Sequence, residues 1–138
     1  MRLLIFACLF GFVFNAIAQD STKVKAPKII MQKKVNQTMV YEDVAITLVR
    51  ILTDSRCPEG VNCIRAGEVK AVIEIVEAGK VRKMREVIVQ ANSNPDQLPI
   101  IYKTKTKQFL AVNILPYPKY DVKIAPEDYT IQVEARKF

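Results

Sequence analysis

The sequence predicts an all-β domain, a single antiparallel β-sandwich of seven or eight strands in an immunoglobulin-like or barrel-like arrangement. Short runs rich in Val and Ile recur along the chain, and turn-forming residues separate them at intervals of roughly ten residues. No window repeats apolar residues at the i, i+3, i+4, i+7 spacing over a length that would predict a helix. A chain of 138 residues is expected to form one domain.

The first eighteen residues have the three-part pattern of a secretory signal peptide. Arg2 provides a positive start, residues 3–14 are apolar apart from one glycine, and a small-x-small cleavage site ends at Ala18. The apolar stretch is shorter than the roughly 20 residues that span a bilayer, so cleavage before Gln19 is favoured over a membrane anchor. Cys8 lies within the apolar stretch and not after it, which does not fit a lipidated cysteine.

Processing at this site would leave a mature chain that begins at Gln19 and has no transmembrane anchor. Residues 19–28 are polar and lysine-bearing, and are predicted to be a flexible segment before a β-sandwich domain at 29–138. Only one cation leaves with the leader, so the mature net charge is +6 instead of +7. The expected location is the periplasm or the exterior of a bacterial cell.

The first half of the domain contains three apolar runs. Ile29–Met31 is the first, and Thr38–Tyr41 is expected either to continue it or to pair with it. Residues 44–52 are apolar at both alternating sets of positions, which predicts a central strand covered on both faces.

The clearest hairpin follows. Residues 68–77 alternate between apolar and charged side chains, Ala78 and Gly79 supply a turn, and residues 80–90 run back. Residues 91–99 are rich in Asn, Ser and Pro, and predict a loop.

Two strands are predicted in the last third of the chain. Residues 109–115 are apolar on both faces, and the Pro116-Tyr117-Pro118 sequence ends this strand because proline cannot donate a ladder hydrogen bond. Residues 129–136 show a regular alternation of apolar and polar side chains.

Cys57 and Cys63 are predicted to form a disulfide. An exported chain matures in an oxidising compartment, and Pro58 and Gly60 between the cysteines allow a sharp turn. Closing so small a ring contributes about 2–2.5 kcal/mol in the chain-entropy description. The less favoured alternatives are a metal site and a redox pair, but two thiols without His are a poor zinc set and the spacing is not C-x-x-C.

Calcium is a further alternative for this segment, because oxygen-bearing side chains surround the cysteines: Asp54, Glu59 and Asn62. Their spacing matches no calcium loop, and Asp54 is better explained as a turn residue. No metal site and no cofactor are therefore predicted.

The chain has no histidine, which excludes Ser-His-Asp and Cys-His catalysis. Adjacent carboxylates occur at Glu42-Asp43 and Glu127-Asp128, but adjacent strand residues point in opposite directions, so both pairs are interpreted as turn residues. A pair of distant carboxylates across a cleft, as in glycosidases, stays open at this point. No catalytic residue is predicted.

Cationic side chains suggest a basic surface. Lys103, Lys105 and Lys107 alternate with threonines and would share one face of an extended segment, while Lys80 and Arg82 belong to the predicted hairpin. Such a surface could meet phosphates, anionic lipid or acidic glycan. A solvated face or a lysine-protected sheet edge is the favoured interpretation. Nucleic acid is disfavoured because the protein is exported and its few aromatic residues do not have a stacking arrangement.

Two motifs carry a resemblance to a known family. Residues 54–68 read Asp-Ser-Arg-Cys-Pro, a short loop, a second Cys and then Ala-Gly before a strand, and residues 115–118 and 124–129 add Leu-Pro-Tyr-Pro and Ile-Ala-Pro-Glu-Asp-Tyr. This pattern resembles an uncharacterised family of small exported bacterial proteins. The resemblance implies an exported β-rich domain and no particular activity. Members often have Trp where this chain has Arg65.

The motif raises two hypotheses about the cysteine loop. Asp54, Arg56 and Arg65 could present a recognition surface, or Asp54 and Arg56 could brace the loop through a local ion pair and backbone hydrogen bonds, which is the favoured interpretation. The expected function is an exported, non-enzymatic binding or structural module. The alternatives are a His-independent hydrolase that uses carboxylates and an inhibitor that presents a loop to an enzyme. Expected partners are an envelope or extracellular protein, or an anionic surface.

The first testable prediction concerns processing. Intact-mass spectrometry of the exported protein should give a chain that begins at Gln19 and is lighter by two hydrogens at Cys57 and Cys63 than the reduced form. A chain that retains the leader, or two thiols that react with an alkylating reagent without prior reduction, would contradict the prediction.

Overall fold

A computed structural model of the chain describes residues 28–78, 80 and 82–137. The predicted signal peptide at residues 1–18, its cleavage site and residues 19–27 of the predicted flexible segment lie outside the described residues. No helix within the described residues is long and apolar enough to cross a membrane.

The described residues form eight strands in two antiparallel four-stranded sheets, which confirms the predicted all-β sandwich. Sheet A has the order β1-β8-β7-β6, and sheet B has the order β2-β3-β4-β5. The strands are β1 (Ile29–Lys34), β2 (Thr38–Tyr41), β3 (Val44–Asp54), β4 (Glu68–Glu77), β5 (Lys83–Gln90), β6 (Ile100–Lys103), β7 (Lys107–Leu115) and β8 (Thr130–Lys137). One short 3-10 helix, Pro126–Asp128, precedes β8.

Most predicted strands are present, and their pairing adds detail. The hairpin is confirmed, with β4 and β5 antiparallel. The first two runs neither continue nor pair with each other, because β1 pairs with β8 and β2 pairs with β3 in the opposite sheet. The expectation that both faces of β3 are covered is wrong: Val44, Ile46 and Leu48 are buried, while the alternate positions are partly exposed.

The core lies between the two sheets and consists mainly of Ile, Val and Leu. Alternation along each strand places one set of side chains inside, as the period of two requires. Phe109 is the largest fully buried side chain, and Tyr41 packs on its edge with ring centroids 6.1 Å apart. The other large side chains that are fully buried are Ile46, Leu48, Ile73, Ile75, Ile101, Ile114, Ile131, Val69, Val89 and Val133.

The long connections gather at one end of the sandwich and the short turns at the other. The end of β3 lies beside the start of β4, and the end of β7 lies beside the start of β8. Residues 55–67, here called the cysteine loop, therefore share one end with the β7–β8 connection at 116–129. The turns after β2, β4 and β6 occupy the opposite end, called the turn end.

Gly67 closes the cysteine loop at a point where no side chain fits. Its φ of +75° is in the left-handed region, and a Cβ there would lie 1.9 Å from the backbone oxygen of Ser55. Gly60 has a similar φ of +87°, but a Cβ there would meet nothing within 4 Å. A comparison of substitutions at the two glycines therefore distinguishes the cost of a left-handed backbone from the cost of steric overlap.

The second prediction uses this pair. Gly60→Ala should lower the free energy of unfolding by about 1–2 kcal/mol, the cost of a left-handed residue with a Cβ. Gly67→Ala should cost clearly more, because the backbone of Ser55 and Arg56, just after β3, must also shift. Urea unfolding of both variants measures the difference, and equal losses would show that the close approach at Gly67 carries no energetic weight.

Candidate functional site

The cysteine loop is closed by the predicted disulfide. Cys57 and Cys63 are bonded, with their Cα atoms 5.9 Å apart. Between them, the Val61 amide donates a 3.3 Å hydrogen bond to the carbonyl oxygen of Pro58, and Gly60 has its positive φ within this turn. Pro58 and Gly60 thus provide the tight turn that brings the two thiols together.

A buried ion pair stands at the base of the loop. Arg56 donates from Nε to Asp54 Oδ1 at 2.8 Å and from Nη2 to Oδ2 at 2.6 Å, a bidentate arrangement. Solvent reaches 1% of the Arg56 side chain and 10% of the Asp54 side chain. The Tyr129 hydroxyl donates to the same carboxylate at 3.2 Å.

The guanidinium of Arg56 also joins the two sheets. It extends from the end of β3 in sheet B and donates to the carbonyl oxygens of Ile114 and Pro116, at 2.5 and 3.0 Å, at the end of β7 in sheet A. Its Cζ lies 5.0 Å from the centroid of the Tyr117 ring. The planar fork of arginine suits this set of acceptors, and lysine would not reproduce it.

The pKa of Asp54 reflects this surrounding. Burial would raise the pKa of its carboxyl group, but the hydrogen bonds and positive charge of Arg56 outweigh burial and hold the pKa below 3.8, the ordinary value. The pKa of Tyr129 is raised, first by burial and then by the negative charge of Asp54. Both shifts keep the carboxylate charged and the phenol protonated across neutral pH.

Of the three residues hypothesised to form a recognition surface, only Arg65 is exposed. The Arg56 side chain is buried and turned towards β7, so a surface role for it does not fit the structure. Asp54 and Arg56 have the bracing geometry of the alternative hypothesis, a local ion pair with added backbone hydrogen bonds. Arg65 lies on the loop beyond the second cysteine.

The cysteine loop is tied to the β7–β8 connection through its own backbone. The Glu59 amide donates to the Pro118 carbonyl at 2.9 Å, and the Tyr120 amide donates to the Glu59 carbonyl at 3.3 Å. Glu59 and Lys119 therefore pair as a short parallel bridge. The two loops are held side by side as one surface.

Apolar side chains stand exposed on this joint surface. Ile64 is fully exposed, Tyr120 is 71% exposed, Val122 is 58% exposed and Val61 is partly exposed. These four residues are called the apolar tip. The exposed cations Arg65, Lys119 and Lys123 lie next to them in sequence and are called the tip cations. The exposed acids in the same two loops are Glu59, Asp121, Glu127 and Asp128.

The predicted basic surface is only partly present. Lys103, Lys105 and Lys107 do not alternate on one extended segment, because a turn separates β6 from β7: the Lys107 amide donates to Thr104 Oγ1 at 3.1 Å, and the Thr104 amide donates to the Lys107 carbonyl at 2.9 Å. Lys103 and Lys105 are exposed. The expectation of a three-lysine stripe is wrong for Lys107, which is buried.

Lys107 points into the turn end of the sandwich instead. Its ammonium pairs with Glu42 and lies 4.9 Å from the centroid of the Tyr41 ring. Lys80 and Arg82 lie at the same end and face carboxylates. Lys80 Nζ lies 3.5 Å from Glu77 Oε2, and Arg82 Nη1 lies 3.4 Å from Glu74 Oε1. These lysines and arginines are therefore largely balanced by local acids.

A shallow cleft at the turn end brings Lys80, Lys105 and Lys107 together with Glu42 and Glu77. Nearby, the Tyr102 hydroxyl donates to Glu77 Oε2 at 2.7 Å; this hydrogen bond lowers the pKa of Glu77 and raises the pKa of Tyr102. The mixed charge of this cleft does not select an anionic ligand. The cysteine-loop end is therefore the stronger candidate for a functional surface.

Within the described ranges, no group of three or more His, Cys, Asp or Glu residues is arranged to hold a metal ion. No family model, curated protein or solved structure matches this chain significantly. The resemblance carried by the cysteine motif thus stays a prediction.

Sequence reasoning missed two components of the cysteine-loop end. The alternation over residues 129–136 places Tyr129 in the last strand and gives no link to Asp54, although its position just after the Pro-Glu-Asp turn is a local signal. The exposure of Ile64 had no signal, because an apolar residue beside a cysteine is as compatible with burial as with exposure.

The third prediction concerns the buried pair. Arg56→Met should lower the free energy of unfolding by about 3–5 kcal/mol, because it leaves Asp54 buried without its partner. Arg82→Met is the matched control: it removes an exposed pair with Glu74 and should cost less than about 1 kcal/mol. Equal losses would show that the Arg56 cluster does not hold the sheets together.

Acid titration tests the same cluster without changing Arg56. The folded-state pKa of Asp54 is depressed, so its stabilising effect is full above the unfolded-state pKa and is lost as pH falls through the folded-state value. The unfolding free energy of the wild type should therefore fall more steeply below about pH 4 than that of Asp54→Asn. Parallel curves for the two proteins would contradict the assignment.

Proposed function

We propose that this chain is an exported, non-enzymatic β-sandwich that binds its partner through the cysteine-loop end. The observation that carries the proposal is the apolar tip, whose most prominent member, Ile64, is fully exposed on a loop fixed at several points. Covering an apolar side chain that a rigid loop holds in water lowers the free energy of the system, so such a side chain favours binding of a partner.

The contacts that anchor the cysteine loop support a binding role, because they order the loop before any partner binds. The disulfide closes the loop, Gly67 packs its backbone against Ser55, and the Ser55 hydroxyl donates to the Glu68 carbonyl at 2.9 Å. Binding then costs little loop ordering, which favours affinity.

Two carboxylates of the described residues, Asp54 and Glu77, are better explained as structural groups than as catalytic ones. Asp54 and Glu77 both have a lowered pKa, whereas a carboxyl group that acts as a general acid needs a raised one. Each is also held by its own hydrogen-bond donor, Asp54 by Arg56 and Glu77 by Tyr102. Their hydrogen bonds explain both carboxylates as structural groups.

Export is proposed on the leader pattern and on the disulfide. Residues 1–18 have the order of a signal peptide, and a disulfide on a surface loop persists in an oxidising compartment. We propose the periplasm or the exterior of a bacterial cell as the location.

A second candidate, a loop-presenting inhibitor of an enzyme, is favoured by Arg65. This side chain is exposed on the tethered loop directly after Ile64, a position from which it could enter the specificity pocket of a protease that cleaves after arginine. Residues 64 and 65 form a bend and not an extended strand, which fits such a pocket less well than a surface contact.

The fourth prediction tests the binding surface. The protein should pellet with washed envelopes of the exporting cell, and Ile64→Ser should weaken this pelleting by roughly tenfold, the effect expected from removing most of an exposed apolar side chain from the contact. Val40→Ser is the matched control, because Val40 is also a large exposed apolar residue but lies on β2, away from the cysteine loop.

Equal pelleting of wild type and Ile64→Ser, with both proteins folded by circular dichroism, would overturn the proposed surface. Loss of pelleting in Val40→Ser alone would assign binding to the outer face of sheet B. Inhibition of trypsin that depends on Arg65 would favour the inhibitor candidate instead.

A further inference from the structure

We propose that a second cleft at the turn end, beside the start of β1 and the end of β8, binds a small carboxylate with an apolar tail, such as a medium-chain fatty acid. The cleft has a volume of about 310 Å³, which is at the lower end of the range for small-molecule sites and fits a single short ligand. The site lies at the other end of the sandwich from the cysteine loop, so the inference goes beyond the proposed function and does not depend on it.

The apolar part of the cleft continues the hydrophobic core. Ile29 on β1 is paired in register with Ala135 on β8, and directly paired residues share a face of the sheet. Ala135 belongs to the core, so Ile29 lies on the core-facing side of sheet A, although 42% of it is exposed. Tyr41, from sheet B, lines the same cleft. A ligand tail placed here would remove the exposed part of Ile29 from water, which favours binding.

The residues that line the cleft are predominantly cationic. The cations among them are Lys28, Lys107, Arg136 and Lys137. Glu134 is the acid in the lining, and Glu42, which lies outside it, pairs with Lys107. Four cations against these two acids leave a surplus of two positive charges. This surplus is complementary to an anionic ligand group.

Glu134 fixes two of these cations beside the cleft. Its side chain is only 4% exposed, and its Oε1 accepts a 3.0 Å hydrogen bond from Arg136 Nε while Lys28 Nζ lies 3.9 Å from Oε2. One carboxylate balances one of the two positive charges. Alternation along β8 directs Glu134 and Arg136 away from the core-facing side, so these two cations add to the local field without filling the cleft.

Lys137 is the cation that the arrangement leaves available to a ligand. It is paired in register with Lys107 across β7 and β8, and like charges directly opposite each other destabilise a sheet. The Lys107 ammonium faces Glu42 and the Tyr41 ring, whereas Lys137 forms no ion pair with another described residue. A carboxylate beside Lys137 would relieve this repulsion, which places the ligand head at Lys137 and its tail along Ile29.

The adjoining shallow cleft at the turn end lacks this charge surplus. It shares Tyr41 and Lys107 with the proposed site, but it is lined by equal numbers of cations and acids: Lys80, Lys105 and Lys107 against Glu42, Asp43 and Glu77. The carboxylate is therefore expected on the β8 side of Lys107 and not on the side of Lys105.

The fifth prediction is a titration of the purified protein with octanoate at pH 7, followed by NMR of the backbone amides. Saturable shifts should be confined to the surroundings of the cleft, with the largest at Ile29, Ala135 and Lys137. Octanol has the same tail without the charge and should bind about fivefold more weakly, the effect of one partly exposed ion pair. Acetate has the charge without the tail and should give no saturable shift.

Two variants test the two parts of the site, and each has a matched control. Lys137→Gln should weaken octanoate binding by about fivefold and leave octanol binding unchanged, and Ile29→Ser should weaken both by roughly tenfold. Lys105→Gln removes an exposed cation of the adjoining cleft, and Ile30→Ser changes a 52% exposed residue on the alternate face of β1. Both controls should bind octanoate as the wild type does, with all four proteins folded by circular dichroism.

Three results would overturn the inference. Equal affinity for octanoate and octanol would show that the carboxylate is not recognised. An unchanged affinity in Lys137→Gln, or an equal loss in Lys105→Gln, would show that the charge at this cleft is not the determinant. Shifts centred on Ile64 would show that octanoate covers the apolar tip instead.

The site and the proposed function are tested separately. Ile64→Ser, the variant that weakens binding to envelopes, should leave octanoate binding unchanged, because Ile64 lies at the opposite end of the sandwich. Octanoate binding that survives in Ile64→Ser would support the cleft whatever the envelope experiment shows, and its loss in that variant would contradict the assignment.

Discussion

The ion pair between Asp54 and Arg56 is the interaction on which the cysteine-loop end depends. Taking two charges out of water costs several kcal/mol per ion, and a bidentate contact alone does not reliably offset that cost. Here the guanidinium also donates to two carbonyl oxygens at the end of β7 in the opposite sheet, and the carboxylate accepts a further hydrogen bond from Tyr129. These hydrogen bonds replace those that the two charged groups would make with water. Their geometry can be met in only one relative position of β3 and β7.

The consequence is geometric more than energetic. A hydrophobic core tolerates small displacements of one sheet over another, because apolar contacts have little directionality. The hydrogen bonds of Arg56 to Ile114 and Pro116 are directional, so they fix where the end of sheet B meets the end of sheet A. The cysteine loop and the β7–β8 connection start from these two ends, and their mutual pairing depends on that fixed distance.

The parts that local sequence predicts are those whose contacts are local. The β4–β5 hairpin and the Cys57–Cys63 bond join residues close in the chain, and turn residues mark both. The pairing of β1 with β8 joins opposite ends of the domain, and no local pattern distinguishes it from a pairing of β1 with β2. The local sequence does not predict the turn between β6 and β7, because residues 104–106 include neither Gly nor Pro and the alternating lysines have the pattern of an extended strand.

The local sequence also does not predict which charged residues are buried. Arg56 and Lys107 have the same type of surroundings in the sequence as exposed cations. Only the tertiary structure supplies their distant partners, the carbonyls of Ile114 and Pro116 for Arg56 and the carboxylate of Glu42 for Lys107. The ion pair of Asp54 with Arg56 could be proposed because the two residues are two positions apart. Its reach into the second sheet could not, since that contact spans about half the domain in sequence.

The strand order of sheet A determines when the domain can close. β8 is the last of the eight described strands in chain order, yet it lies between β1 and β7 and supplies the only strand partner of β1 within the described residues. A chain that emerges from a ribosome or a translocation channel with its N-terminus first must therefore hold β1 unpaired until the final strand is released. Sheet B, whose strands pair with their sequence neighbours, has no such delay. Sheet A is thus completed only when β8 is free to pair with both β1 and β7, so the two sheets of the sandwich form by different routes.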